Sequence, residues 1–304
     1  MFGASLLTLA TLLAAPLAPQ DATAAEPAAA SDEVASFLAD VSARCYDPRA
    51  DGLKTLSFKL PIKDPMLGHT ADVVVSWTDG QEPEMAVTVL DFEVPEQLAM
   101  MGATKEMLAP QIEPQAMNNA SQFLGQLLGE ALKQLSDDAG AGSMGGVEDG
   151  NVVIKLAGSG EADDPALEHR LHVDDESTLV KHEIDIQSQM GKQTLVNTFQ
   201  WAPSKDGEHV VQTGQSVKIS MPMMGEMDVQ TTTFRHQRVG QMLLLVEQTT
   251  EMTNPMMGGG GAVTATLSDL TVNGQAVEVS GAAGGRDADA GHDEDGHDHA
   301  DHDG

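Results

Sequence analysis

Between residues 151 and 280 apolar side chains fall on alternate positions, run after run, and each run stops at a Gly, Pro, Asn or Asp cluster. Successive side chains of an extended strand point to opposite faces, so this alternation dictates antiparallel sheet with one face buried. Val152, Ile154 and Leu156 alternate with Val153, Lys155 and Ala157, and Leu195, Phe199 and Trp201 share a face that skips Thr194, Val196, Thr198 and Gln200. Met242, Leu244 and Val246 repeat the pattern, and Val272 runs into Asn273-Gly274 before Val277 and Val279. Asn-Gly tolerates the positive φ angles of a tight hairpin, so a two-residue turn is expected there.

Upstream, Val34, Phe37, Leu38, Val41 and Cys45 follow helical spacing, which predicts a first amphipathic helix over 32–46, ended by Pro48. Three strands follow, carried by Leu56, Phe58 and Leu60, by Val73, Val75 and Trp77, and, past an Asp79-Gly80 turn, by Met85, Val87 and Val89. Pro95 opens a helical segment, 95–135, that Pro110 and Pro114 divide into a short and a longer piece. In the longer piece Ile112, Ala116, Ala120, Phe123, Leu127, Leu128, Ala131 and Leu135 form one stripe, so the helix should lie apolar side down across the sheet. The Gly-rich stretch 136–150 reads as a flexible loop. The expected fold class is α+β and mainly antiparallel β: a half-open barrel or strongly curved sheet covered by helices.

Residues 1–25 carry a short apolar run and a small-residue cleavage region, as a signal peptide does, and 26–31 form a linker. Residues 32–280 then make one β-rich domain, and 281–304 a disordered His/Asp-rich tail with nothing to bury. The expected localisation is export, to the periplasm or outside the cell. A formal net charge of −31 repels phosphate backbones, so nucleic acid is excluded as a partner. Cys45 is the sole cysteine, so no internal disulfide forms, and its place on the helix stripe makes it a core residue.

Chemistry is sparse. Gly158-Ser159-Gly160 lacks the spacing of a nucleophile elbow, and the glycines at 258–261 have no Lys-Ser/Thr ending, so neither an esterase-like nor a phosphate-loop site is present and the chain is read as a non-enzyme. His169 and His182 share the inward face of neighbouring strands, where each is expected to be a hydrogen-bonded core residue. His292, His297, His299 and His302 sit among Asp and Glu in the tail and offer ligands for Zn²⁺, Ni²⁺ or Cu²⁺; no cofactor is required. Methionine clusters at 100–107, 221–227 and 256–257 are read first as filler of an apolar cavity, then as contacts to a hydrophobic ligand, and last as soft ligands for Cu(I).

The helix from Val34 to Cys45 leading into Leu56-Ser57-Phe58, the strand Val73 to Trp77, and the stretch Val173-Asp174-Asp175-Glu176-Ser177-Thr178-Leu179-Val180, with its aspartate-led turn, together resemble the LolA/LolB/RseB-like group of periplasmic lipoprotein carriers and sensors. The resemblance implies a half-open antiparallel barrel closed by helices around a cavity for acyl chains. The leading expectation is therefore an exported, non-enzymatic protein that holds an apolar ligand, a lipid or a lipoprotein acyl chain, with a transient envelope protein as a further partner. Trp77, Phe123, Leu127, Phe199, Trp201 and Met224 are its candidate lining, chosen by strand or helix face. The alternative is a divalent-metal-binding envelope protein acting through the tail.

Overall fold

The computed structural model describes residues 32–64, 67–100, 102–130, 142–157, 166–188, 191–221, 225–254 and 259–280. The predicted leader, linker and tail lie outside these residues, as do Met224 and the four tail histidines. Three helices, α1 (Asp32–Arg44), α2 (Glu96–Met100) and α3 (Lys105–Leu127), accompany strands β1 (Thr55–Asp64), β2 (Gly68–Thr78), β3 (Glu84–Val89), β4 (Gly142–Glu148), β5 (Asn151–Ala157), β6 (Ala166–Val173), β7 (Leu179–Ser188), β8 (Gly191–Pro203), β9 (Val210–Met221), β10 (Gly225–Val239), β11 (Met242–Asn254), β12 (Gly259–Thr266), β13 (Ser268–Val272) and β14 (Gln275–Ala276). No helix among the described residues is long and apolar enough to cross a membrane.

The fold is mainly antiparallel β, as expected, but the strands divide between two sheets, neither closed into a barrel. One sheet has the order β14-β13-β1-β2-β3, and the other runs without interruption from β12 to β4. In the larger sheet every strand pairs with its sequence neighbour, so short hairpin connections alone generate it. The smaller sheet needs a long-range closure, in which Leu56 pairs with Val272 and Ser57 with Thr271. The chain changes sheets at Leu267, whose buried side chain and N–H···O bond to Val246 tie the crossing point to β11.

The main core lies between the sheets. Leu56, Phe58, Val73, Val75 and Trp77 from the smaller sheet meet Ile112, Ala116, Ala120, Phe123 and Leu127 of α3, with Leu244, Leu245 and Val246 of β11 in the same cluster. Burial at each of these positions removes apolar area from water at about 25 cal/mol per Å². A second cluster joins Val34, Leu38 and Val41 of α1 to Ile154, Leu156, Leu171, Val173, Leu179 and Phe199 of the larger sheet. α1 uses its predicted stripe, and α3 uses its own only as far as Leu127, where the helix ends short of the expected 135; Ala131 and Leu135 lie outside the described residues.

Two local expectations are corrected. Pro110 and Pro114 do not divide the helix: α3 runs through both, and both rings stand on its exposed side while Ile112, Ala116 and Ala120 hold the other side to the core. Each proline costs one helical hydrogen bond, and packing offsets that loss. The break comes earlier, where the Gly102 and Ala103 amides close on the Ala99 and Leu98 carbonyls, a hydrogen-bonded helix end. The stretch 136–150 is also not all loop, because β4 pairs with β5 along the sheet edge. Its glycines allow close approach: a Cβ on Gly142 would lie 2.7 Å from both Leu156 Cδ2 and Val34 Cγ1.

Asn273 and Gly274 have φ of 51° and 77° and join β13 to β14 as predicted. The Asn273 side chain does more than turn: Oδ1 accepts from the Lys54 and Thr55 amides at 2.8 and 3.1 Å, and Nδ2 donates to the Gly52 carbonyl at 2.8 Å. Asn273→Ala is expected to cost about 2 kcal/mol in urea unfolding, since three net bonds and a tolerated positive φ are lost together. Asn273→Gly keeps the turn and loses only the bonds, so it should fall between Ala and the parent; equal stability of all three would refute the staple.

Candidate functional site

The predicted lining residues do not share one cavity. Trp77, Phe123 and Leu127 pack in the core between the sheets, with the Phe58 and Phe123 rings 5.9 Å apart, whereas Phe199 and Trp201 pack under α1. Alternation identified which face each side chain occupies, but not that the faces belong to different sheets. Leu127 and Trp201 nevertheless converge. They line a narrow slot of about 30 Å³ where the end of α3 meets the larger sheet, together with Cys45, Tyr46, Gln126, Gly129, Val210, Val211, Gln212, Phe234, His236, Leu243 and Leu245.

Each wall of the slot is held by an identifiable bond. After α1, the Tyr46 amide donates to the Val210 carbonyl at 2.9 Å, which carries Cys45 and Tyr46 onto the start of β9. The Tyr46 hydroxyl donates to Asp51 at 2.7 Å and accepts the Leu243 amide at 2.9 Å. Trp201 Nε1 donates to the Leu179 carbonyl at 2.7 Å, which fixes the indole. The end of α3 closes by Gly129 N–H to Gln126 O at 3.2 Å and Glu130 N–H to Gly125 O at 2.7 Å, and Arg49 ties Glu130 back to Asp47. Burial pushes the Cys45 thiol up to about 12, so the thiolate is scarce and the residue is the inert core cysteine its position implied. The Gln126 side-chain oxygen is buried with no donor among the described residues.

The slot shares Val211, Phe234 and His236 with an open groove of about 510 Å³, whose other walls are Thr213, Thr233, Arg235, Glu247 and Thr249. Arg235 lies opposite Glu247 on the β10–β11 ladder and grips it through two bonds, Nε to Oε1 at 3.0 Å and Nη2 to Oε2 at 3.1 Å. The Thr266 hydroxyl donates to Glu247 Oε2 at 2.7 Å. These bonds, Arg235 first, hold the nearly buried Glu247 carboxyl below the usual carboxylate range. Burial lowers His236 to about 4, so it is neutral at pH 7. The groove therefore offers a fixed guanidinium, a fixed carboxylate, three threonines and a neutral imidazole beside two apolar walls.

No protein-family model and no curated protein matches the chain. Among solved structures, it is similar to a DUF1329 family protein from Desulfovibrio piger at 9% identity and a TM-score of 0.26, covering 81% of this chain and 94% of that one. A porin-like protein from Bacteroides uniformis matches at 9% identity and a TM-score of 0.18, over 72% of this chain and 97% of the other. Scores this low carry no argument about function, so the site is read from its own geometry.

The paired histidines are brought together, His182 buried and His169 half-buried. His169 Nδ1 and His182 Nε2 lie 3.1 Å apart, with the rings stacked at a centroid distance of 5.3 Å. Among the described residues no three His, Cys, Asp or Glu side chains are grouped to hold a metal ion. Burial, and then the neighbouring His169, lower His182 to about 3. Of the first methionine cluster, Met100 and Met107 stand exposed on α2 and α3 and do not fill a cavity, and Met101 lies outside the described residues.

Proposed function

We propose that this chain is an exported, non-enzymatic protein that binds an amphipathic ligand, a lipid or acyl-chain compound, at the groove and slot beside Arg235, Phe234, Trp201 and Leu127. One observation carries the reading: a groove of about 510 Å³ shares Val211, Phe234 and His236 with a slot walled by Leu127, Trp201, Leu243 and Leu245. That volume falls within the roughly 300–1,000 Å³ of small-molecule sites, and the mixed lining suits a molecule with one polar and one apolar end. The slot itself, at about 30 Å³, admits a water or two. An acyl chain thus seats first against Val211 and Phe234 and enters deeper by displacing the Leu127 and Trp201 side chains. Trp77, Phe123 and Phe199 then act behind this site, holding α3 and the sheets in place.

The chain has two tryptophans, so a Trp77→Phe background leaves Trp201 as the sole reporter of the slot. Titration of a long-chain amphiphile is expected to shift Trp201 emission saturably, and Leu127→Asp, which places a charge in the slot, should weaken binding at least about tenfold, the cost of little more than 1.4 kcal/mol. A folded Leu127→Asp variant that binds as tightly as its parent would count against the slot.

A further inference from the structure

We infer that the Arg235–Glu247 groove recognises an uncharged, hydroxyl-bearing head group, the polyol end of a neutral amphiphile, in preference to an anionic or a cationic one. This rests on the reading that the groove and slot hold an amphiphile. Two observations carry it. First, the formal charges in the groove cancel: Arg235 and Glu247 are bonded through two N–H···O contacts, and His236 is neutral at pH 7. A further ion placed there has no unpaired counter-charge, and an anion also meets a chain with a net charge of −31. Second, the groove presents donors and acceptors side by side. The pair uses Arg235 Nε and Nη2, which leaves Nη1 to donate, while Thr213, Thr233 and Thr249 each bring a hydroxyl that can do either. A carboxylate or phosphate head uses only donors and an ammonium head only acceptors, whereas vicinal hydroxyls use both.

The groove is preorganised for this. Thr266 and Arg235 together fix Glu247, and Thr249 Oγ1 lies 3.0 Å from Thr264 Oγ1, so its hydroxyl is oriented before a ligand arrives. Thr233 is exposed and has no such partner among the described residues, which makes it the position where a hydroxyl can be removed without disturbing the fold.

The test uses the full chain with Trp77→Phe and three probes that share one C18 chain, monoolein, oleate and oleylamine, below their aggregation concentrations. Titrations read Trp201 emission at pH 7.5, in low salt and in high salt, where the long-range field is screened. Monoolein is expected to bind roughly tenfold more tightly than either charged probe, and to keep that preference in high salt. Thr233→Val should weaken monoolein roughly threefold to tenfold, the loss of about one hydrogen bond. Oleate or oleylamine binding as tightly as monoolein in high salt would overturn the head-group inference while leaving the binding site intact. Unchanged monoolein affinity in Thr233→Val, with the preference retained, would overturn its placement in the groove. If none of the three probes moves Trp201, the binding reading itself fails, and the inference with it.

Discussion

Replacing Gly129 by alanine is expected to destabilise the protein by about 3 kcal/mol, the largest such effect among the described glycines. Two causes act together. Gly129 ends α3 with φ +69°, a left-handed conformation that costs an L-residue about 1–2 kcal/mol. A Cβ at this position would also overlap the Tyr46 carbonyl oxygen and lie 3.2 Å from the Tyr46 carbonyl carbon, both of them backbone. Backbone cannot rotate away as a side-chain end can, so Tyr46 must shift, and with it the Tyr46–Val210 bond that seats α1 on β9. For a body of this size the loss corresponds to about 6–12 °C in Tm. Gly80→Ala is the matched control, since Gly80 has φ +75° with nothing within 4 Å, and it should cost only the conformational part, about 1 kcal/mol. Equal losses at the two positions would show that the contact with Tyr46 carries no energy. Because Gly129 also lines the slot, the variant should lose ligand affinity in parallel with stability.

The second large effect is acid sensitivity well above the carboxylate range. His182 and His236 are held neutral by burial, at about 3 and about 4. Their folded values lie below the unfolded value of about 6.5, so in between the unfolded state binds more protons. Stability is therefore fully present above about pH 6.5 and is lost as pH falls towards the folded values. At pH 5 each histidine accounts for about 2 kcal/mol of loss, and the two together for about 4. Asp185, Glu183 and Glu247 have lowered values as well, and their contributions are lost in turn at still lower pH. Urea midpoints at pH 7.5, 6 and 5 should fall steadily. His182→Leu should flatten that slope whatever it does to stability at pH 7.5. A midpoint unchanged between pH 7.5 and 5 would show that neither imidazole is kept neutral by the fold.

How much of this was legible in the sequence follows from the range of each interaction. Alternation at Val152, Ile154 and Leu156 and the stripe from Ile112 to Leu127 are local signals, and the strands and α3 stand where those signals put them. The aspartate-led turn is equally local: Asp174 Oδ1 accepts the Glu176 and Thr178 amides at 3.0 and 2.8 Å. Division into two sheets was not legible, because it depends on Leu56 finding Val272 across most of the chain, and no property of either residue encodes the partner. Glycine misled for another reason. Composition around Gly142 reads as flexibility, while the structure uses the missing Cβ to bring β4 against Val34 and Leu156.

The groove was missed because a β-bulge hides it. Val239 faces Met242 and His236 faces Leu245, a register that would set Arg235 opposite Val246. A shift between Arg235 and His236 sets it opposite Glu247 instead and creates the ion pair at the groove. Oppositely charged residues flanking the turn at Gly240 were the available signal, but periodicity alone places them out of register.

Native mass spectrometry of the purified full chain, recorded before and after a chelator, tests ligand binding most directly. An adduct of lipid-like mass that survives chelation and is absent from Leu127→Asp is expected. A bare chain, or an adduct that consists only of metal and leaves with the chelator, would contradict it.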